Sequence, residues 1–79
     1  NGRSLLSKGI VDVEGNFERG ATLLIVNQTG KILAKGISRY CANDLTKISG
    51  KHSDDIESLL GYNYGDAVVH RNDMVVLDN

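Results

Sequence analysis

ATLLIVNQTGKILAKGISRY, residues 21–40, decides the fold. Ala21 to Val26 is a short run of β-branched and aliphatic residues, too continuously apolar for a one-faced strand, and reads as a central strand. Asn27-Gln28-Thr29-Gly30 then supplies turn chemistry, with Gly30 free to take a positive φ. Lys31 to Tyr40 returns as the partner strand, so residues 21–40 are expected to form a β-hairpin.

Working outward, the preceding stretch EGNFERG, residues 14–20, carries two glycines around Phe17 and reads as a tight turn with the aromatic ring in the core. Before it, residues 9–13 (GIVDV) show the alternation of a half-buried strand. After the hairpin, two short helices are expected. Residues 43–49 have Asn43 as N-cap, Asp44 at the positive end of the helix dipole and Gly50 beyond the last turn. Residues 54–60 have Ser53 as N-cap, Ile56, Leu59 and Leu60 on one face, and Gly61 as C′ residue. The tail reads as two short strands, residues 67–70 and 74–77, around the polar turn Arg71-Asn72-Asp73. The expected architecture is a mainly β barrel or sandwich with short helices, one domain spanning residues 1–79.

The composition fits an ordinary globular domain: 79 residues, 41% hydrophobic and 24% charged. Folding at this size buries only about 60% of the surface of the unfolded chain, so the core is small. A single cysteine, Cys41, excludes an internal disulfide framework and fits a reducing, cytoplasmic compartment. No apolar run approaches the roughly 20 residues of a membrane helix, and no signal peptide is visible, so no membrane partner is expected. The opening Asn1-Gly2-Arg3, without an initiating Met, reads as a cut edge.

The net charge is −1, but it is unevenly spread. Residues 31–52 hold Lys31, Lys35, Arg39, Lys47 and Lys51 against Asp44 alone, whereas residues 53–79 hold six acids against Arg71. Either the two regions face each other in the fold or they mark an interaction surface. On a strand, Lys31, Lys35 and Arg39 point to one side, about 13 Å apart at about 3.3 Å per residue. Such a row can contact phosphates, and Tyr40 beside it could stack on a base. The competing reading is an ordinary solvated strand whose lysines block edge pairing.

Catalytic chemistry finds no foothold. Cys41, His52 and His70 stand alone, without the spacing of a metal site, and no catalytic or metal-binding residue is assigned. Cys41 reads as a small buried hydrophobe. No glycine-rich phosphate cradle is present. Asp54, Asp55 and Glu57 sit at a helix start, where dipole complementarity accounts for them.

The string from Gly2 to Tyr40 resembles a PUA domain. The shared features are Ser4-Leu5-Leu6, Gly9-Ile10-Val11, the G-x-F-x-x-G turn at residues 15–20, and the A-x-G of Ala34-Lys35-Gly36. The remainder, notably Leu60-Gly61-Tyr62 and Val69-His70-Arg71-Asn72-Asp73, resembles the C-terminal end of the bacterial glutamate 5-kinase family. The resemblance implies a PUA-like pseudo-barrel lacking its usual first strand and helix, with Ser7 where the family commonly has proline. It further implies a parent enzyme that phosphorylates L-glutamate with ATP and Mg²⁺ at the start of proline biosynthesis. That reaction belongs to an amino-acid kinase domain absent here, so no cofactor falls on these residues and that domain is the expected partner. A barrel short of a strand also suggests a homo-oligomer or a borrowed strand. Three roles follow: a regulatory or assembly module, an RNA-binding module using Lys31, Lys35, Arg39, Lys47, Lys51 and Tyr40, or a purely structural appendage.

Overall fold

In the computed structural model, which describes residues 3–77, the hairpin forms as expected. Strands β2 (Thr22–Val26) and β3 (Ile32–Ile37) pair antiparallel, with Thr22 opposite Ile37 and Leu24 opposite Lys35. Asn27 organises the loop: its Oδ1 accepts from the backbone N–H groups of Thr29 and Lys31, both at 3.0 Å, and from the Thr29 hydroxyl at 2.7 Å. A side-chain oxygen that satisfies several loop donors replaces the backbone turn that the chain would otherwise need. An irregularity in the ladder at Ile25/Val26 sets Val26 opposite Ile32, so β3 carries one extra residue there.

The remaining elements are β1 (Leu5–Leu6), α1 (Ala42–Ile48), α2 (Ile56–Leu60), β4 (Ala67–Val69) and β5 (Met74–Val76). Three 3₁₀ turns accompany them, at Ser7–Gly9, Ser53–Asp55 and Arg71–Asp73. The strands form two small sheets, a β1-β4 pair and a three-stranded sheet ordered β2-β3-β5. The two tail strands therefore do not pair with each other. β4 joins β1, and the turn at Arg71–Asp73 carries the chain across to β3.

Two expectations fail for related reasons. Residues 9–13 form no strand, since no other described segment pairs with them. Strand propensity without a partner leaves only extended chain. Nor is β2 central. It is an edge of its sheet, its burial alternates, and Leu24 and Val26 face outward. An unbroken apolar run on an edge strand leaves every second side chain uncovered.

The helices begin slightly differently from the sequence reading. Cys41, not Asn43, is the N-cap of α1, because the carbonyl of Phe17 takes the N–H of Ala42 at 3.0 Å and starts the helix earlier. His52, not Ser53, caps the turn before α2, its Nδ1 accepting from the Asp54 N–H at 3.1 Å. His70 repeats this device on Asn72. Gly61 ends α2 as expected, left-handed at φ 86°.

The core comprises Tyr40, Leu45, Ile48, Ile56, Val68 and Val69, all essentially inaccessible to solvent. Phe17, Leu23 and Ile25 pack against it half-buried, along the flank where residues 9–17 and β2 leave an open groove of about 1150 Å³. Gly36 has ordinary backbone angles but no room for a side chain. A Cβ there would lie 2.5 Å from Val69 Cγ1 and 2.8 Å from the Asp73 carbonyl oxygen. The A-x-G of β3 is thus the point where the chain linking the two sheets lies directly on the strand. Ser7 is fully buried, its hydroxyl donating to the Lys51 carbonyl at 2.8 Å, a bond that a proline could not make.

Candidate functional site

Of the basic residues singled out from sequence, only Lys35 lies within β3, exposed on its outer face. Lys31 belongs to the hairpin loop, on the far side of the extra residue in β3, which breaks the simple alternation linking the two lysines. Arg39 follows the strand, gives its backbone N–H to Val68 and reaches the Asp73 carboxylate at 3.9 Å. Lys47 sits in the last turn of α1, and Lys51 follows that helix. Lys31, Lys35, Lys47 and Lys51 are all exposed, and among the described residues none forms an ion pair.

Tyr40 cannot act as a stacking platform, correcting that expectation. Its ring is wholly buried, and its hydroxyl donates to the Gly65 carbonyl at 2.7 Å while accepting the Tyr64 N–H at 2.9 Å. The phenol is an internal post to which the loop of residues 61–66 is tied. Burial pushes its pKa up, opposed by the Tyr64 N–H bond.

That loop builds the most elaborate side-chain cluster of the molecule. The Tyr64 ring centroid lies 5.3 Å from that of Tyr40 and 5.1 Å from that of Tyr62, both in tilted geometry. The Arg19 guanidinium carbon stands 3.6 Å over the Tyr64 ring, a cation–π contact delivered by the glycine-flanked turn at residues 15–20. Tyr62 donates its hydroxyl to Asp44, within 2.7 and 2.8 Å of the two carboxylate oxygens. Asp44 is nearly buried, and this bond, with desolvation and the Asp44 charge behind it, raises the Tyr62 pKa to about 12. Tyr62 and Tyr64 keep roughly two-fifths of their surface in solvent.

Chemically this is a rigid aromatic and guanidinium surface suited to contact. Among the described residues, no three His, Cys, Asp or Glu side chains gather as a metal cluster. His52 and His70 spend their Nδ1 atoms on backbone N–H groups, and Cys41 is a partly buried free thiol. No described helix is long and apolar enough to cross a membrane. Sequence reasoning missed Arg19, Asp44, Tyr62 and Tyr64 as a group. The clue within reach was the pair of tyrosines two apart in a glycine-bounded loop, but nothing local pairs that loop with residue 19 or 44.

A family model described as PUA domain matches residues 1–60, from the chain start through the end of α2. Over 76 residues the chain is 72% identical to a glutamate 5-kinase of Shewanella oneidensis and 76% identical to one of Shewanella sediminis. It is 53% identical over 76 residues to a glutamate 5-kinase of Vibrio campbellii. In each case the match covers 96% of this chain and 20% of the relative, so the chain spans about a fifth of the length of the curated relatives it matches.

Proposed function

The chain belongs to the PUA domain family, and from that premise we propose that it is a non-catalytic module of a glutamate 5-kinase, with a regulatory or assembly role. The observation that carries this reading is the identity above 70% along 96% of the chain to two proteins of that name. The parent would transfer phosphate from ATP, with Mg²⁺, to L-glutamate in the cytoplasm. That chemistry would lie wholly in a kinase domain outside these residues.

A regulatory or assembly role suits what the module offers. It has a small core, a half-covered flank and a rigid cluster at Arg19, Tyr62 and Tyr64. Tyrosine and arginine are the residues most enriched at the energetic centres of protein interfaces. The test is deletion of this module from the full polypeptide. Glutamate-dependent acyl phosphate formation should persist, whereas oligomeric state or feedback inhibition by proline should change. Loss of all phosphotransfer from a folded kinase domain would count against a non-catalytic module, and unchanged assembly and inhibition would leave only a structural appendage.

A second reading, RNA binding, draws support from the exposed Lys31, Lys35, Lys47 and Lys51, none of which forms an ion pair among the described residues. Replacing Lys31, Lys35 and Arg39 together by Gln should then abolish binding to structured RNA such as bulk tRNA. Binding through phosphate contacts would also weaken steeply with salt. Unaltered affinity in the triple variant ends the reading that places binding on residues 31–39.

A further inference from the structure

The two faces of the three-stranded sheet differ in what covers them. The inner face, through Leu23, Ile25, Ala34 and Met74, packs towards the core. On the outer face Leu24, Lys35 and Val75 stand directly opposite one another across β2, β3 and β5, and therefore share one side of the sheet. Ile37 lies two residues from Lys35 and Val26 two from Leu24, so both fall on that side. Leu24 is 60% exposed, Val75 56%, Val26 52% and Ile37 44%. Neighbouring strands lie about 4.8 Å apart, so these side chains form one continuous patch. Single apolar residues on a surface need no explanation, but a contiguous patch spanning three strands marks a contact surface.

Resting on the reading of this chain as one module of a larger kinase, we propose that the outer face of the β2-β3-β5 sheet docks against the kinase domain of the same polypeptide, on an apolar surface bearing a carboxylate opposite Lys35. Two features select this occupant. The relatives extend over about five times the length matched here, so a large body tethered to the module is present at high effective concentration. Lys35 opposes a second copy, since a two-fold pairing of this patch would draw two unpaired ammonium groups together in a drying interface. Its lone charge among aliphatic side chains also gives RNA no phosphate track, which needs several cations.

The experiment uses the full polypeptide with Val75, and separately Leu24, replaced by the photo-crosslinking amino acid p-benzoylphenylalanine. Irradiation and peptide mapping should join these positions to kinase-domain peptides rich in aliphatic residues near an Asp or Glu. Adding Ile37→Asp and Lys35→Glu should lower that yield about tenfold, since a buried unpaired charge is enough to break such a contact. Crosslinks to residues 22–37 or 74–77 of another copy would overturn the proposal in favour of self-association. An absence of crosslinks would overturn it by showing a solvent face. Glutamate-dependent acyl phosphate formation, trapped as the hydroxamate in the same preparation, separates the two readings. Activity without crosslinks sinks only the docking face. Crosslinks to the attached domain without glutamate phosphorylation sink the kinase reading and the proposal as worded, leaving only an interdomain contact.

Discussion

Tyr62 closes over Asp44, its hydroxyl within 2.8 Å of both carboxylate oxygens, so that a nearly buried acid is satisfied by a phenol rather than a cation. The neutral phenol is the form that can donate. Folding therefore raises the Tyr62 pKa to about 12 from an ordinary value of 10.0, first through this bond. The associated stability is fully present below pH 10 and is lost as pH rises through about 12. Ultraviolet titration should show tyrosines ionising above the ordinary range, and Tyr62→Phe should remove the highest of these steps, near 12, while the raised ionisation of buried Tyr40 remains. An unchanged high-pH step in the variant would show that the bond is not its source.

Gly36 and Val69 provide a steric test. Gly36→Ala forces a methyl group into Val69 and the Asp73 carbonyl, and overpacking of this kind typically costs about 1–3 kcal/mol. Gly9, with an open surround and no left-handed backbone, is the control. Urea denaturation should separate the two variants clearly, and equal midpoints would contradict the close approach at Gly36.

The hairpin loop hangs on one side-chain oxygen. Asn27→Ala removes the acceptor of three hydrogen bonds at an exposed site, with an expected loss of about 1 kcal/mol. Asn27→Asp should recover most of it, since a carboxylate oxygen accepts as well. Amide exchange at Thr29 and Lys31 is the local readout, and slow exchange surviving in the alanine variant would refute the assignment.

Tyr40→Phe should loosen the loop of residues 61–66 without emptying the core. The ring still fills its space, but the part-buried Tyr64 N–H loses its acceptor and the Gly65 carbonyl its donor, at about 1 kcal/mol. The cation–π contact of Arg19 should weaken along with the loop. Chemical-shift changes at Arg19 are the telling observation, and a variant confined to local shifts at residue 40 would break the link.

The hairpin and the stop of α2 at Gly61 were legible because both are written in local chemistry: a polar turn sequence, a glycine, an apolar run of strand length. Residues 9–13 carry the same local writing and yet form no strand, because pairing is not a local property. The distinction between edge and centre for β2 is lost in the same way, since its place depends on where residues 74–76 come to rest. Tyr40 misled for a different reason. The residues before it, Ser38 and Arg39, are polar, while it belongs to a buried cluster with Leu45, Ile48 and Val68. The Arg19 and Tyr64 contact joins two loops distant in sequence, and no periodicity announces such a meeting.

Both sheets wait for the same short tail. β1 has no partner until β4 arrives, and β3 lacks its second neighbour until β5 does. During synthesis, the hairpin and α1 can form as they emerge, but the β1-β4 pair waits for residue 69 and the β2-β3-β5 sheet for residue 76. Pairings of such long sequence separation also form slowly. Translation that stalls before residue 67 would release a chain with intact local elements and two open sheets, a natural substrate for chaperones and proteases.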